Sequence, residues 1–538
     1  MLLPTNKALR HFGFRQTLKG ALTVGFLAGI MMGAQGAAYA AAYPDQHSRD
    51  ILVASLQSAA ALGFLAGEIE NASTPASYSI YKSIALVTLL TAVWGLLATT
   101  KLLRGQEEDG RLEQIVSGKT TKAKASLHIL IGFGYSILLA FVIAWIFIAA
   151  LGVMPKVDLA VSNSTLLTIG VFLPCLFFAG LGVLTSQLAV TRGRALAYGL
   201  SALLTLFVLR GSANSVADWN WLKQWSPFGW TDLLNPVLDP QVGWIIPTAL
   251  FFIIVVPLGL LLAKNRDLGA SILPESDHAR SRYFLLRSAF AFSIRRSLGT
   301  FFWWMVATLS YIAVLSSIAK IGADALSSSP AFTQIIKSLG GNYDDLVIAF
   351  LGFGGMFTAL ILLVMVAVYM GNTRQEEAKG YLDNILVQPV RRSVWLAQRT
   401  LIATSMAFVI ALLSAYLIWQ IATLQNIVLD LAIVLQNAVA LTGTIVLFIG
   451  IGALTYGLLP RFTAIIMYAL IIWAFVVDVL KSLYTLNDWI DKTSLLHYVS
   501  FAPTKTPDWT QFAWLLGIGV VLTCVGIWFF TRRDIVSE

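Results

Sequence analysis

About twelve stretches of this chain run for roughly 20 residues with few charges, the length an α-helix needs to cross the ~30 Å hydrocarbon layer of a bilayer. They fall near 20–41, 79–100, 127–151, 166–190, 194–213 and 243–263, then 299–318, 346–370, 400–421, 432–457, 463–482 and 511–530. In lipid every backbone polar group must be satisfied internally, so a chain with this pattern has two options, helices or a closed barrel. A barrel would show alternating segments of about ten residues, and none is present. Composition agrees. Hydrophobic residues are 57% of the 538 positions and charged residues 12%, against roughly a quarter charged in soluble domains. The expected fold is an all-α polytopic membrane protein.

Charge placement sets the expected orientation. With the N-terminus inside, the cytoplasmic segments hold about 27 of the 37 Lys and Arg residues, and the opposite orientation would invert the positive-inside bias. Both termini are therefore expected to be cytoplasmic. The same placement, along helix flanks, argues against nucleic acid as the partner of a chain with net charge +9. Residues 1–41 also read as a secretory signal, with Lys7, Arg10, Arg15 and Lys19 before an apolar run and small residues around Ala38–Ala42. The run is long for a signal core, and a first spanning helix is the favoured reading. Cys175 and Cys524 lie inside apolar runs and read as small buried residues. His128 and His497 stand isolated, and no metal or catalytic cluster is apparent.

The chain matches itself when shifted by 270 residues. Glu107, Gly110, Leu112, Glu113, Gln114 and Ile115 fall on Glu377, Gly380, Leu382, Asp383, Asn384 and Ile385. Gly180, Gly182, Leu184 and Thr185 fall on Gly450, Gly452, Leu454 and Thr455. Tyr198 falls on Tyr468, and Asp218-Trp219 on Asp488-Trp489. With a small gap, Arg266-Asp267-Leu268 matches Arg533-Asp534-Ile535, and Arg15 and Leu18 match Arg295 and Leu298 at a shift of 280. Matches that include charge and glycine in loops are hard to reach by chance. Two six-helix halves, 1–268 and 269–538, are expected, as parallel repeats because six crossings preserve topology.

Three features recur in both halves. Each half opens on a basic, aromatic-containing segment expected to lie in the membrane interface. The first has Lys7, Arg10, Arg15 and Lys19 among Leu9, Phe12, Phe14 and Leu18; the second has Arg280, Arg282, Arg287, Arg295 and Arg296 among Phe284, Leu285, Phe290 and Phe292. A loop after the second helix, 101–124 and 371–399, places acids early and bases late, which suits a short helix dipole. The apolar positions Leu112, Ile115 and Val116 suggest a partner protein as the reason for the stripe. A segment before the sixth helix, 214–242 and 484–510, is rich in Trp: Trp219, Trp221, Trp225, Trp230, Trp489 and Trp509. These read as a membrane-interface belt, or as short re-entrant helices. Of the few ionisable residues inside spans, Asp478 and Lys481 stand one turn apart and can pair, and Arg210 lies at similar depth.

The pattern Glu-x-x-Gly-x-Leu-acid/amide, followed in the second copy by Gln388-Pro389-Val390-Arg391-Arg392, resembles the coupling loop of type-2 ABC exporter permeases. The basic segment before the first crossing and the short helices before the sixth fit the same family. Fusion of two halves resembles the bacterial twelve-helix polyketide-antibiotic exporter permeases. Lys119 stands where the second copy has Pro389, a departure from the pattern. The resemblance implies an exporter permease of the bacterial plasma membrane, moving hydrophobic or amphipathic small molecules such as antibiotics or drugs. It implies coupling loops at Glu107, Gly110, Leu112, Glu113, Glu377, Gly380, Leu382 and Asp383. It also implies a separate ATPase, as a dimer, that carries ATP and Mg while this chain binds no cofactor of its own. The residues agree: Gly118-Lys119-Thr120 lacks the first glycine of a Walker loop because Glu113 stands there, and Gly105 to Gly110 ends in Arg111-Leu112. By the same resemblance the first, second and fifth helices of each half line a cavity. Phe350, Phe353, Met356 and Phe357 are then candidate substrate contacts, opposite Tyr198, Tyr468 and Trp473. Membrane lipid is the other expected contact. The alternative is a proton-coupled secondary multidrug transporter, for which Asp478 is the candidate carboxylate. A membrane enzyme would need a convergent polar cluster, and none is legible.

Overall fold

A computed structural model describes residues 5–43, 45–57, 66–67, 69–116, 120–267, 269–273, 283–286, 288–317, 319, 346–378, 380–387, 390–483, 487–499 and 503–534. Among these the regular structure is helical. The long helices are α1 (Thr5–Ala42), α2 (Pro75–Thr100), α3 (Lys122–Gly152), α4 (Val161–Leu188), α5 (Arg192–Ser215) and α6 (Ile246–Lys264). They continue as α7 (Ala289–Ser317), α8 (Leu346–Ala378), α9 (Arg392–Leu424), α10 (Leu431–Leu458), α11 (Thr463–Leu483) and α12 (Trp509–Arg532). Among the described residues 11 helices are long and apolar enough to cross a membrane, and α11 adds a shorter apolar stretch, Thr463–Asp478. The protein is an all-α polytopic membrane protein.

The helices form two compact units, Met1–Ala279 and Arg280–Glu538. The described segment after α6 turns back onto unit 1. Ile272 N and Leu273 N donate to the carbonyls of Gln187 (3.2 Å) and Leu188 (3.2 Å) at the end of α4. Within unit 1, α1 packs on α2 and α3, α2 on α4 and α5, and α4 on α5 and α6. Within unit 2, α7 packs on α8 and α9, α8 on α10 and α11, and α10 on α11 and α12. The second and fourth helices are the centre of each unit. The most apolar window of α4 is 78% buried and that of α6 only 17%, so α6 presents most of its apolar surface outward, as lipid solvation permits.

The basic segment at the start of unit 1 is not a separate interfacial helix. It is the first four turns or so of α1, whose 38 residues span about 57 Å at 1.5 Å per residue, well beyond the hydrocarbon layer. Its apolar side is used inside the protein. Leu9 is buried in a cluster with Leu102, Leu112, Ile129 and Phe133, and Phe12 packs against it. Small residues let α1 and α3 approach, as in many membrane helix pairs. A Cβ on Gly132 would meet the Arg10 carbonyl and lie 2.9 Å from Phe14 N. Thr17 and Ser136 hydroxyls hydrogen-bond across the pair at 2.7 Å. Gly132→Val is therefore expected to lower stability by about 1–3 kcal/mol, the range for overpacking. Thermal unfolding in detergent, followed by Trp fluorescence, checks it; an unshifted midpoint would show that the helices separate freely. Arg280, Arg282 and Arg287 lie outside the described residues.

Sequence pattern missed some elements. A helix at Gln46–Gln57 and a 3₁₀ turn at Ile69–Ala72 follow α1, and Tyr39 stacks on Tyr78 with ring centroids 4.1 Å apart. Cys175 is buried but Cys524 is exposed on α12.

Candidate functional site

The Glu-x-x-Gly-x-Leu motif folds the same way in both units. In unit 1 the end of α2 widens into a π-helical turn, Lys101–Gly105, then one turn at Gln106–Glu108 leads to a short helix at Arg111–Val116. In unit 2, α8 runs to Ala378 and the short helix is Tyr381–Leu386. The glycine makes the corner. Gly110 and Gly380 both have φ +71°, and their amides donate to the carbonyls of Glu107 (3.1 Å) and Glu377 (2.9 Å). No atom lies within 4 Å of a Cβ built on Gly110, so the demand there is backbone conformation alone. Gly110→Ala is expected to cost about 1–2 kcal/mol and Gly110→Asn less, because Asn tolerates the left-handed region. Equal melting shifts for the two variants would reject that cause.

The leucine of each motif points inward. Leu112 is buried in the α1–α3 cluster, and Ile115 and Val116 pack against it. Leu382 is buried with Trp395, Leu396, Tyr456 and Phe530. The apolar stripe Leu112, Ile115 and Val116 thus packs within unit 1. What the first loop exposes is polar: Glu108, Asp109, Arg111, Glu113 and Gln114. The second exposes Tyr381 and Val387; Lys119, Gln388, Pro389 and the side chain of Asp383 lie outside the described residues.

The glutamate is an anchor. The Glu107 side chain is 5% exposed and meets three cations: Arg104 Nη1 at 3.1 Å, Lys122 Nζ at 3.1 Å and Arg266 Nη2 at 2.6 Å. The Gly269 amide also donates to it, at 2.8 Å. Arg104 is 2% exposed, and its further donors reach the carbonyls of Val190, Gly269 (3.1 Å) and Ala270 (3.0 Å), just past the ends of α4 and α6. Carbonyls at helix C-termini carry partial negative charge, which offsets the excess of cations over carboxylate. One carboxylate therefore ties the loop to α2, α3 and the segment after α6.

Unit 2 builds the same anchor with different chemistry. Glu377 is fully buried. Arg533, just after α12, grips it with both terminal nitrogens, each at 2.7 Å. The Tyr456 hydroxyl of α10 donates to it at 2.6 Å, and Arg374 lies 3.9 Å away. The Arg533 guanidinium sits 5.0 Å from the Tyr456 ring centroid and 5.2 Å from that of Phe530, and its carbonyl accepts from Arg392 at 3.0 Å. The bidentate pair is the stronger form of such contacts. Beside it Glu376 pairs with Arg296 (3.0 Å) and Arg399.

The sequence located the acids but not their partners. Arg266 and Arg533 stood out only as a repeat match, and their equal placement after the sixth and twelfth helices was the available signal. Tyr456 and Lys122 gave none.

The candidate cavity residues do not share one environment. Met356 is buried in the unit 2 core and Phe357 packs against it. Tyr198, Tyr468 and Trp473 are exposed on their own units, and the Trp473 indole donates to Thr493 at 2.9 Å. Phe350 and Phe353 lie on α8, but their side chains are outside the described residues.

At the opposite end of unit 1 from the loop, Arg210 finds a partner that its spacing did not reveal. Asp232 takes its Nε at 2.6 Å and Nη2 at 2.9 Å, with both side chains 1% exposed. Asn214 adds a bond to the same carboxylate at 3.1 Å. Asp232 sits on a short helix, Pro227–Leu234, capped by Ser226 and started by proline. With the 3₁₀ turn Ala217–Trp225 it forms the pair of short helices expected before α6. Trp219, Trp221 and Trp225 are exposed there, and in unit 2 Trp489 and Trp509 are exposed. Asp478 is buried on α11, and the Lys481 side chain lies outside the described residues. His497 is not isolated, since its Nδ1 lies 2.8 Å from Asp491 Oδ2. Nor is His128, which accepts from Arg10 Nε at 3.3 Å.

Two helical units, each with a loop glutamate locked to the ends of membrane-length helices, define a polytopic membrane protein. Residues 286–531, nearly all of unit 2, match the family model of the multidrug efflux system permease Rv1217c, C-terminal domain. Nearly the whole of the second unit is thus similar to a domain of a multidrug efflux permease, a likeness that points to transport. No curated protein matches the chain.

Proposed function

We propose that the chain is the membrane permease of an ATP-driven exporter of hydrophobic or amphipathic compounds, powered by a separate ATPase. The anchored loop is the observation that carries this reading. A loop that receives force must be stiff and must be joined to the helices it moves. Glu107 and Glu377 supply the join, and the exposed faces of Arg111–Val116 and Tyr381–Leu386 supply the contact. In this reading the two units are a parallel duplication, both termini are cytoplasmic, and an ATPase dimer carrying ATP and Mg places one subunit under each loop.

The test is co-purification of the full chain with an ATPase co-expressed from the adjoining gene, together with drug uptake into inverted membrane vesicles. Asp109→Lys with Glu113→Lys, at exposed positions outside the anchor, is expected to weaken capture several-fold and to cut ATP-dependent uptake in proportion. Uptake that ignores vanadate and stops with an uncoupler would instead support proton coupling, for which the buried Asp478 is the candidate.

A further inference from the structure

Because the basic start of α1 is continuous with the spanning helix, its cations do not spread along an interfacial surface. His11, Arg15 and Lys19 share one helix face with Phe12 and Gln16, and Lys101 from the end of α2 closes the other side. Together they line a groove of about 530 Å³, within the ~300–1,000 Å³ typical of ligand pockets. Three fixed cations meet there, and no carboxylate is among the lining residues. Their mutual repulsion favours an anion in the groove.

Position narrows the anion. Lys19 immediately precedes the apolar run of α1, so the groove lies where basic residues give way to hydrocarbon-facing ones, the depth of phospholipid phosphates. Phe12 supplies an apolar wall, which a free phosphate would not use. Unit 2 is the internal contrast. At positions 280 further on, His11 becomes Ala291 and Lys19 becomes Gly299, while Lys101 becomes Gly371 at 270. Arg296, in place of Gln16, is paired with Glu376 at 3.0 Å, and Gln106 stands in unit 1 where unit 2 has Glu376. The unit 2 groove thus carries a carboxylate beside its cations, and no carboxylate lines the unit 1 groove.

We infer that the groove between α1 and the end of α2 in unit 1 is a binding site for the phosphate headgroup of an anionic phospholipid, whereas the corresponding groove of unit 2, lined by Arg296 and Arg399, already holds the Glu376 carboxylate. This does not rest on the coupling to an ATPase. Native mass spectrometry of the full chain, titrated with phosphatidylglycerol or phosphatidylcholine, tests it. Wild type is expected to retain phosphatidylglycerol in preference to phosphatidylcholine. Lys19→Gln with Lys101→Gln is expected to lose the tightest-bound lipid by on the order of tenfold or more in affinity. Lys101→Gln alone should lose part of it, which covers the case of a misfolded double variant. The charge-matched control Lys124→Gln with Lys264→Gln should bind as wild type does. Equal loss in that control, or undiminished binding in both groove variants, would overturn the site. Displacement of the lipid by millimolar inorganic phosphate would overturn the lipid assignment.

Discussion

Replacing Glu107 with alanine is expected to destabilise the protein by about 3–5 kcal/mol, the usual cost of removing one partner from a buried ion pair. The reason is what remains. Arg104, Lys122 and Arg266 would face one another with no carboxylate between them, two of them under 5% exposed. Glu107→Gln keeps the shape and one acceptor oxygen, so it should lose nearly as much, because the missing quantity is charge. Glu377→Ala should act similarly in unit 2, leaving Arg533 without its bidentate partner. A double-mutant cycle of Glu107→Gln with Arg266→Gln is the direct measurement. Coupling above about 1 kcal/mol is expected for groups in one network. A cycle that closes to zero would mean the two residues do not hold each other. Under the proposed function the same variants lose drug transport even where they still assemble, since the loop would move without its helices.

Breaking the Arg210–Asp232 pair is expected to have an effect of the same size, again about 3–5 kcal/mol. Here the geometry is a two-point grip at 2.6 and 2.9 Å with neither side chain more than 1% exposed. Asp232→Ala strands a guanidinium on α5, and Arg210→Ala strands a carboxylate that Asn214 alone must satisfy. The charge-swapped double variant should recover part of the loss, because Coulomb attraction survives exchange while the fork geometry does not. Proteolysis of the segment from Ala217 to Leu234 provides an independent reading. That segment should become more readily cleaved in the single variants, since Asp232 is the charged tie of its short helix to α5, beside the Ser226 hydroxyl that donates to the Leu206 carbonyl at 2.7 Å. Resistance equal to wild type would assign the tie to the neutral contacts, Ser226 with the Leu206 carbonyl of α5 at 2.7 Å and Thr231 with the Gly170 carbonyl of α4 at 3.1 Å.

How much was legible depended on whether the signal was local. The spanning helices were legible because a run of apolar residues must be helical in lipid whatever surrounds it. The loop motif was legible because glycine, leucine and glutamate recur at one spacing, and each has a local reason: Gly110 and Gly380 a left-handed turn, Leu112 and Leu382 a buried contact. The contact that Leu112 makes was not legible. Its apolar stripe was complementary to something, and sequence cannot say whether that something is a partner or the protein's own Ile129 and Phe133. For Arg210 only its depth in the span was legible, while Asp232 lies 22 positions on, across a turn and a short helix.

By itself, then, the sequence determined the class of fold, the approximate place of the long helices and the two loops that carry a shared pattern. Hydropathy and turn chemistry act within a few residues, so they can be read along the chain. Only the tertiary structure decided what the patterned residues do. It turned the basic start of α1 into part of a spanning helix that lines a cationic groove, and it turned the loop acids into anchors for Arg266 and Arg533. Ion pairs form between groups that packing brings within about 4 Å, whatever their separation in sequence, and in a low-dielectric interior those pairings outweigh local preference.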